Sequence, residues 1–320
     1  MGLFASTIRA ATNRGKHEYA DRMALRDLPR LGSPGLEILP RGLSLRWLGT
    51  ASFELTYEGT RLLIDPYVTR LGLRDLLRGQ VVHSSREALS KWVPSADAVL
   101  VGHTHFDHAL DVPAIAERDG CPVYGGTSVA HLMALHGLQR QAVVVGPYEP
   151  QQIGPFSVTF VPSVHSKLLM GWRVPAAGEI TCDHLDRMVP RAFRCGQVWG
   201  IHVSVGGVTL YHQGSADLVD DAELPRGVDV FLCGIAGRQC SPRYLERVIP
   251  RLDPRVIVPS HFDDFFTALD MPMGFTMGVN LAGFPGEVAR VSGATTVCAL
   301  DASDTVYGGV DGPVMPTGRT

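Results

Sequence analysis

Within the stretch "AVLVGHTHFDHALDVP" (98–113), three histidines and an aspartate, His103, His105, Asp107 and His108, fall inside six positions. They follow an apolar run, Ala98 to Val101, closed by Gly102. Imidazoles crowded together repel when protonated and forfeit solvation when buried. A divalent metal relieves both problems, because it binds neutral imidazole and carboxylate. Four ligands so close do not all suit one ion. His103 and His105 fall on one side of an extended turn and can share a metal. Asp107 and His108 are better placed for a second. Three further candidates also follow apparent strands: His165 after "FSVTFVPSV", Asp217 after "TLYHQGSA" and His261 after "RVIVPS". Layered α/β folds build their sites from loops at strand ends.

The elements that would position these groups can be read from period and punctuation. "LSLRWLG", "SFELTYEG" and "TRLLIDP" read as short strands, the last two joined at a Glu-Gly turn. Further strands are expected at 98–101, 121–124, 142–145, 156–161, 199–205, 208–212, 228–232 and 255–259. Helical patterns fall at 128–138 and 242–249. Strands and helices thus alternate after an opening meander. The chain also echoes itself: "SFELTYEGTRLLID" and "WGIHVSVGGVTLYHQGSAD" are each a strand, a tight turn and a second strand leading to an acid. That pattern suggests two related halves with the chemistry where they meet. Residues 1–40 read as an arm and linker. Leu3, Phe4, Ile8, Ala11, Tyr19 and Met23 recur near helical spacing, and Pro29, Gly32, Pro34, Gly35 and Pro40 then stop a long helix. An amphipathic helix packed on its own domain or on a second subunit, as in a homo-oligomer, is favoured there over a peripheral membrane contact.

The chain has 320 residues, 45% hydrophobic and 19% charged, with a net charge of −3. This is a globular composition with no basic field to recruit nucleic acid and no apolar run of membrane-spanning length. None of the six cysteines forms a Cys-x-x-Cys pair. With no secretory leader pattern, reduced thiols in a cytoplasmic protein are expected. Cys182, His184 and Cys195 fit no standard metal spacing.

From about Leu43 onward, "HTHFDH", the opening "WLGTASFELTYEGTRLLIDPY" and the segment "PSHF" resemble the metallo-β-lactamase-fold hydrolases. The nearest branch by these motifs contains ascorbate-6-phosphate lactonases and N-acylphosphatidylethanolamine phospholipase D. The resemblance implies an α/β fold, a four-layer αββα sandwich over residues 41–320, with two divalent metal ions, zinc by family habit, between two sheets. By that pattern His103, His105 and His165 bind the first ion, Asp107, His108 and His261 the second, and Asp217 bridges them. Asp65, in "LLIDP", matches an acid beneath the site. His212, five residues before Asp217, is placed to orient a ligand. Together with Asp107, which could also take or return a proton, Asp65 and His212 complete the candidate catalytic set. The implied reaction is hydrolysis: a hydroxide held between the metals attacks a lactone, carboxylic ester or phosphodiester of a small molecule. The alternatives are a sugar-phosphate lactonase, a metal-binding protein without catalysis, and a di-iron redox protein, which would call for a flavin domain that does not follow here.

Two apolar patches flank the ligands and predict a partly apolar substrate. Leu168, Leu169, Met170 and Trp172 open an insertion at about 166–198, and Phe262, Phe265, Phe266 and Phe275 follow His261. Lys167 and Arg173 are candidates for an anionic group on the substrate.

Overall fold

Burial along the strands explains the layering. In the computed structural model, which describes residues 17–167 and 173–309, Leu62, Ile64, Ala98 and Leu100 belong to one apolar cluster and Leu63, Val99 and Val101 to another. Successive side chains point to opposite faces of a strand, so a sheet with both faces apolar must be covered on both sides. The first cluster joins these strands to Phe156, Val158, Phe160, Ile201 and Val203 of a second sheet. The second cluster joins them to helices.

The first sheet holds seven strands in the order β14-β1-β2-β3-β4-β5-β6. These are β1 (Ser44–Trp47), β2 (Phe53–Tyr57), β3 (Thr60–Ile64), β4 (Ala98–Leu100), β5 (Val123–Gly125), β6 (Ala142–Val144) and β14 (Thr305–Tyr307). The second sheet runs β13-β12-β11-β10-β9-β8-β7, from β7 (Pro150–Ile153), β8 (Phe156–Ser163), β9 (Val198–Val205), β10 (Val208–Gln213), β11 (Val230–Gly234) and β12 (Val256–Ser260) to β13 (Thr296–Val297). Each sheet is an antiparallel meander that turns parallel. The change comes at β3–β4 in one and β10–β11 in the other, which is the internal echo seen in the sequence. β7 begins at Pro150 on a sheet edge, where a missing N–H costs no ladder bond.

Helices cover the outer faces. α2 (Leu73–Arg78) and α3 (Arg86–Trp92) precede β4, and the four-residue α4 (Phe106–Ala109) opens directly after His105. α5 (Val112–Asp119) and α6 (Thr127–Leu135) bury Val112, Ile115, Val129 and Leu132 against the first sheet. α7 (Tyr244–Leu252) buries Tyr244, Leu245, Val248, Ile249 and Leu252, one apolar face at helical spacing, in the core shared with the second sheet. α8 (Phe284–Ala289) adds Phe284 and Val288. This is the αββα sandwich that the resemblance implied.

The stretch read as an arm packs inward over its described part. A helix spans 17–27, which we label α1, and Leu25, Leu31, Ile38 and Leu39 are buried in the main core. Buried Asp21 accepts from the Ala282 amide at 2.8 Å. Within 166–198, Ile180, Met188 and Phe193 are anchored in the helix-side cluster. No helix among the described residues is long and apolar enough to cross a membrane.

Candidate metal centre

Five of the twelve histidines converge where strand ends from both sheets meet. His103 and His105 leave β4, His165 leaves β8 and His261 leaves β12. α4 starts one residue after His105, which sets Asp107 and His108 on a helical turn, apart from the extended pair before it. Two groups result, each with donor atoms within 4.8 Å of one another: His103, His105 and His165, and Asp107, His108 and His261. Asp65 with His103 and His108 makes a third such group.

The donor nitrogens are held from behind. His105 Nε2 is 2.8 Å from the Pro175 carbonyl, which leaves its Nδ1 facing His103 Nε2 at 3.1 Å. His165 Nδ1 is 2.7 Å from the Ser166 carbonyl. Asp65, fully buried at the end of β3, accepts from the Gly102 amide at 2.6 Å and from His108 Nδ1 at 2.8 Å. Such partners fix ring orientation and aim the opposite nitrogen at a metal. That nitrogen of His108 lies 3.7 Å from Asp107, and His261 Nε2 lies 3.2 Å from it.

His261 is aimed differently, because its buried Nδ1 has no hydrogen-bond partner among the described residues. Its backbone does the positioning. It sits at φ +57°, and its amide donates to the Thr50 carbonyl at 2.8 Å. Two residues on, Asp263 accepts from the Thr50 amide at 2.8 Å and pairs with Arg70 at 2.8 Å, both side chains almost wholly buried. Thr50, Asp65 and Arg70 also adopt left-handed backbone. Such strain in non-glycine residues persists where packing over-determines it. Gly49, at φ +80°, leaves the room that the Arg70 guanidinium fills.

The electrostatics suit cation binding. Burial, reinforced by His108, His105, His165 and His261, pushes His103 well below its usual pKa. Burial likewise lowers His105, and with His105 beside it brings His165 down to about 3. Burial alone would raise Asp107, but His108 and His261 outweigh it and hold the carboxyl far below the ordinary range. For His108 burial is outweighed by Asp107 and Asp65, which raise it. Neutral imidazoles beside an ionised carboxylate are the donor set that divalent metals take.

A cavity of about 700 Å³ opens over this cluster. His105, Asp107, His165, Ser215 and His261 belong to its lining, and its walls include Phe106, Phe193, Phe265, Phe266 and Val279. Phe265 and Phe266, singled out from the sequence, thus line the cavity. Phe262 is not: it is buried against Trp47, with ring centroids 4.8 Å apart, and stacks on Phe275. Lys167 and Arg173 are exposed and do not line the cavity, and Arg191 supplies the cation in its lining instead. Leu168, Leu169, Met170 and Trp172 lie outside the described residues.

Asp217 requires a correction. Its carboxylate pairs with Arg247 at 2.9 Å and accepts from the Leu218 amide, and it joins none of the donor groups. The guanidinium on α7 draws it away, and the residues of its loop that reach the cavity are Gly214 and Ser215. His212 also stands outside the groups, buried, with Nε2 2.9 Å from the Ala51 carbonyl. It packs behind the loop, since a Cβ on Gly214 would come within 3.2 Å of both His212 and His108. The remaining six histidines join no donor group among the described residues. Sequence reasoning missed Arg70, Asp263, Thr50 and Pro175, which act only through contacts between distant segments.

Several known proteins are similar to this chain. Residues 44–261 match the family model described as a beta-lactamase superfamily domain. A UPF0173 metal-dependent hydrolase of Anaeromyxobacter sp. (strain K) is 29% identical over 230 residues, 68% of this chain and 74% of that protein. One from Archaeoglobus fulgidus is 27% identical over 259 residues, 77% of this chain and 94% of its own length. Among solved structures, the metallo-beta-lactamase fold protein YhfI from Bacillus subtilis superposes with a TM-score of 0.52 at 15% identity, covering 82% of this chain and 98% of that one. The family match spans most of the sandwich and both halves of the histidine cluster, so the chain belongs to the metallo-β-lactamase superfamily.

Proposed function

We propose that this protein is a metal-dependent hydrolase whose centre takes two divalent ions, with zinc as the metal. His103, His105 and His165 would hold one ion and Asp107, His108 and His261 the other. The observation that carries this reading is the pair of three-donor groups sharing one cavity floor. The names of the relatives support the reaction class. Ions there would supply a water acidified towards neutrality and a Lewis acid for the attacked oxygen.

The chain's own residues do the rest. Asp65 keeps the His108 proton on Nδ1, and the Pro175 carbonyl does the same for Nε2 of His105. Among the described residues Asp107 is the single carboxylate in the cavity lining. Phe265 and Phe266 exclude water from one wall. An apolar wall beside a polar floor fits a small molecule with an ester-like bond and an apolar portion: a lactone, carboxylic ester or phosphodiester. Each methylene buried there contributes ~0.8 kcal/mol, or about fourfold in kcat/KM.

The test is a panel of lactones, carboxylic esters and phosphodiesters of rising acyl or alkyl length, assayed with zinc, after chelation and after zinc is restored. Chelator-reversible turnover that climbs with chain length until the cavity is filled is expected. No metal-dependent turnover of any class would sink the reading. A preference for small charged sugars would return it to a sugar-phosphate lactonase.

A further inference from the structure

The cavity floor offers donors for two dications and only one carboxylate. Among the described residues Asp107 is the single acid in the lining, Asp217 is bound to Arg247, and Asp65 lies behind His108 with its oxygens given to Gly102 and His108. Outside the described residues Asp311 is the only acid in the sequence. The loop after β10 passes both donor groups at Gly214 and Ser215. Gly214 stands against the second group: a Cβ there would be 3.2 Å from His108 Cε1 and 2.9 Å from Asp65. Ser215 stands against the first, its hydroxyl accepting from the amide of Ser166, next to His165, at 3.0 Å. Where this loop reaches the cavity it carries a neutral hydroxyl, bonded to the Ser166 amide and hydroxyl, and no acid. Two dications facing one carboxylate, in a cavity with apolar walls, leave positive charge that the protein does not balance. A poorly solvated cation excess attracts an anion strongly.

We propose that Ser215 occupies the place of a protein carboxylate between the two ion positions, and that an oxyanion on the substrate, a phosphate or carboxylate group, completes the charge balance. This rests on the two-ion reading above and narrows its substrates to molecules that bring an acidic group to the floor and an apolar group to the walls.

The experiment uses the full chain loaded with cobalt(II), whose visible absorption reports its coordination, with metal content measured first. Inorganic phosphate and acetate are titrated in separate arms, into the wild type, Ser215→Asp and Ser215→Asn. The wild type is expected to hold two ions and to give a saturable spectral change with one of the two anions; which one identifies the acidic group. Ser215→Asp should bind that anion at least about tenfold more weakly, because it adds like charge at short range. It should also hold its weaker ion at least about tenfold more tightly. Ser215→Asn, of similar size without the charge, should stay near the wild type. Two bound ions with no response to either anion would overturn the proposal, and the wild type alone decides this if a variant fails to fold. A Ser215→Asp protein indistinguishable from wild type would overturn it too. Fewer than two ions in the wild type would remove the two-ion reading, and this inference with it.

Discussion

Replacing Asp65 with Asn removes one charge and changes almost no volume, so its effect can be worked through atom by atom. The carboxylate accepts twice, from the Gly102 amide at 2.6 Å and from His108 Nδ1 at 2.8 Å, in a site with no solvent exposure. The amide of Asn keeps one acceptor and must turn its NH2 towards the other partner. If its oxygen stays on Gly102, the NH2 faces the Nδ1 proton of His108. His108 then either keeps that proton against a donor or moves it to Nε2, the nitrogen grouped with Asp107 and His261. The first course leaves a buried donor unsatisfied, at about 1–3 kcal/mol. The second spends a similar energy to clear Nε2 before an ion can bind. At ~1.4 kcal/mol per factor of ten, the affinity for the second ion falls ~5- to 150-fold, in line with the ~10–100-fold typical of lost ligand partners. The first ion, held by His103, His105 and His165, should change much less. The assay is competition against a chromophoric chelator, with circular dichroism and a thermal melt confirming the fold. Unchanged affinity for both ions, or equal loss of both, would refute this assignment of Asp65.

Four further outcomes are expected. Asp263→Asn leaves the Arg70 guanidinium buried without its counter-charge, which costs about 3–5 kcal/mol and should show as a lower thermal midpoint and a weakened second ion; an unchanged melt would remove the Arg70–Asp263 pair from the support of His261. Asp217→Ala should leave metal content unchanged, since it loses a partly exposed contact with Arg247 and the bond from the Leu218 amide; loss of either ion would reinstate it as a ligand. Phe265→Ala should flatten the chain-length series on long esters while sparing the shortest, and a uniform loss across the series would mean a structural role. In metal-free protein, His103, His105, His165 and His212 are lowered from 6.5, so below that pH the unfolded chain binds protons the native state refuses. The contribution of these four groups is fully present above pH 6.5 and falls as the pH drops below it, by up to ~1.4 kcal/mol per pH unit for each group until its folded-state pKa is reached, about 3 for His165. His108, raised, contributes stability that is lost only on the alkaline side. His165→Gln should make the acid limb shallower, and a melt independent of pH between 7 and 4 would contradict the shifts.

Donor chemistry and strand period were the legible parts of this chain. Val99 and Leu100 alternate between two apolar clusters as their spacing requires, and "HTHFDH" divides into two donor groups because α4 begins at Phe106. Direction was not legible. In "GSAD" the acid is the obvious ligand type, yet which residue of the loop faces the cavity depends on Arg247, carried on a later helix. Phe262 and Phe265 look alike in sequence. One turns into the core against Trp47 and the other packs edge-on against His261. Arg70 and Asp263 carry no local signal at all, since their pairing exists only once the two sheets have met. Residues 1–40 read as an arm and linker, the prolines and glycines from Pro29 to Pro40 stopping the helix, which says nothing about whether Leu31 and Leu39 are buried.

The most direct test of the central claim is metal content by elemental analysis, on the wild type and on His103→Ala and His261→Ala, after reconstitution with zinc and removal of loosely bound ions. The account predicts two ions per chain in the wild type. One should remain in each variant, with the weaker ion lost in one and the tighter in the other. A wild type that saturates at one ion, or a His261→Ala protein that still holds two with unchanged affinity, would contradict it.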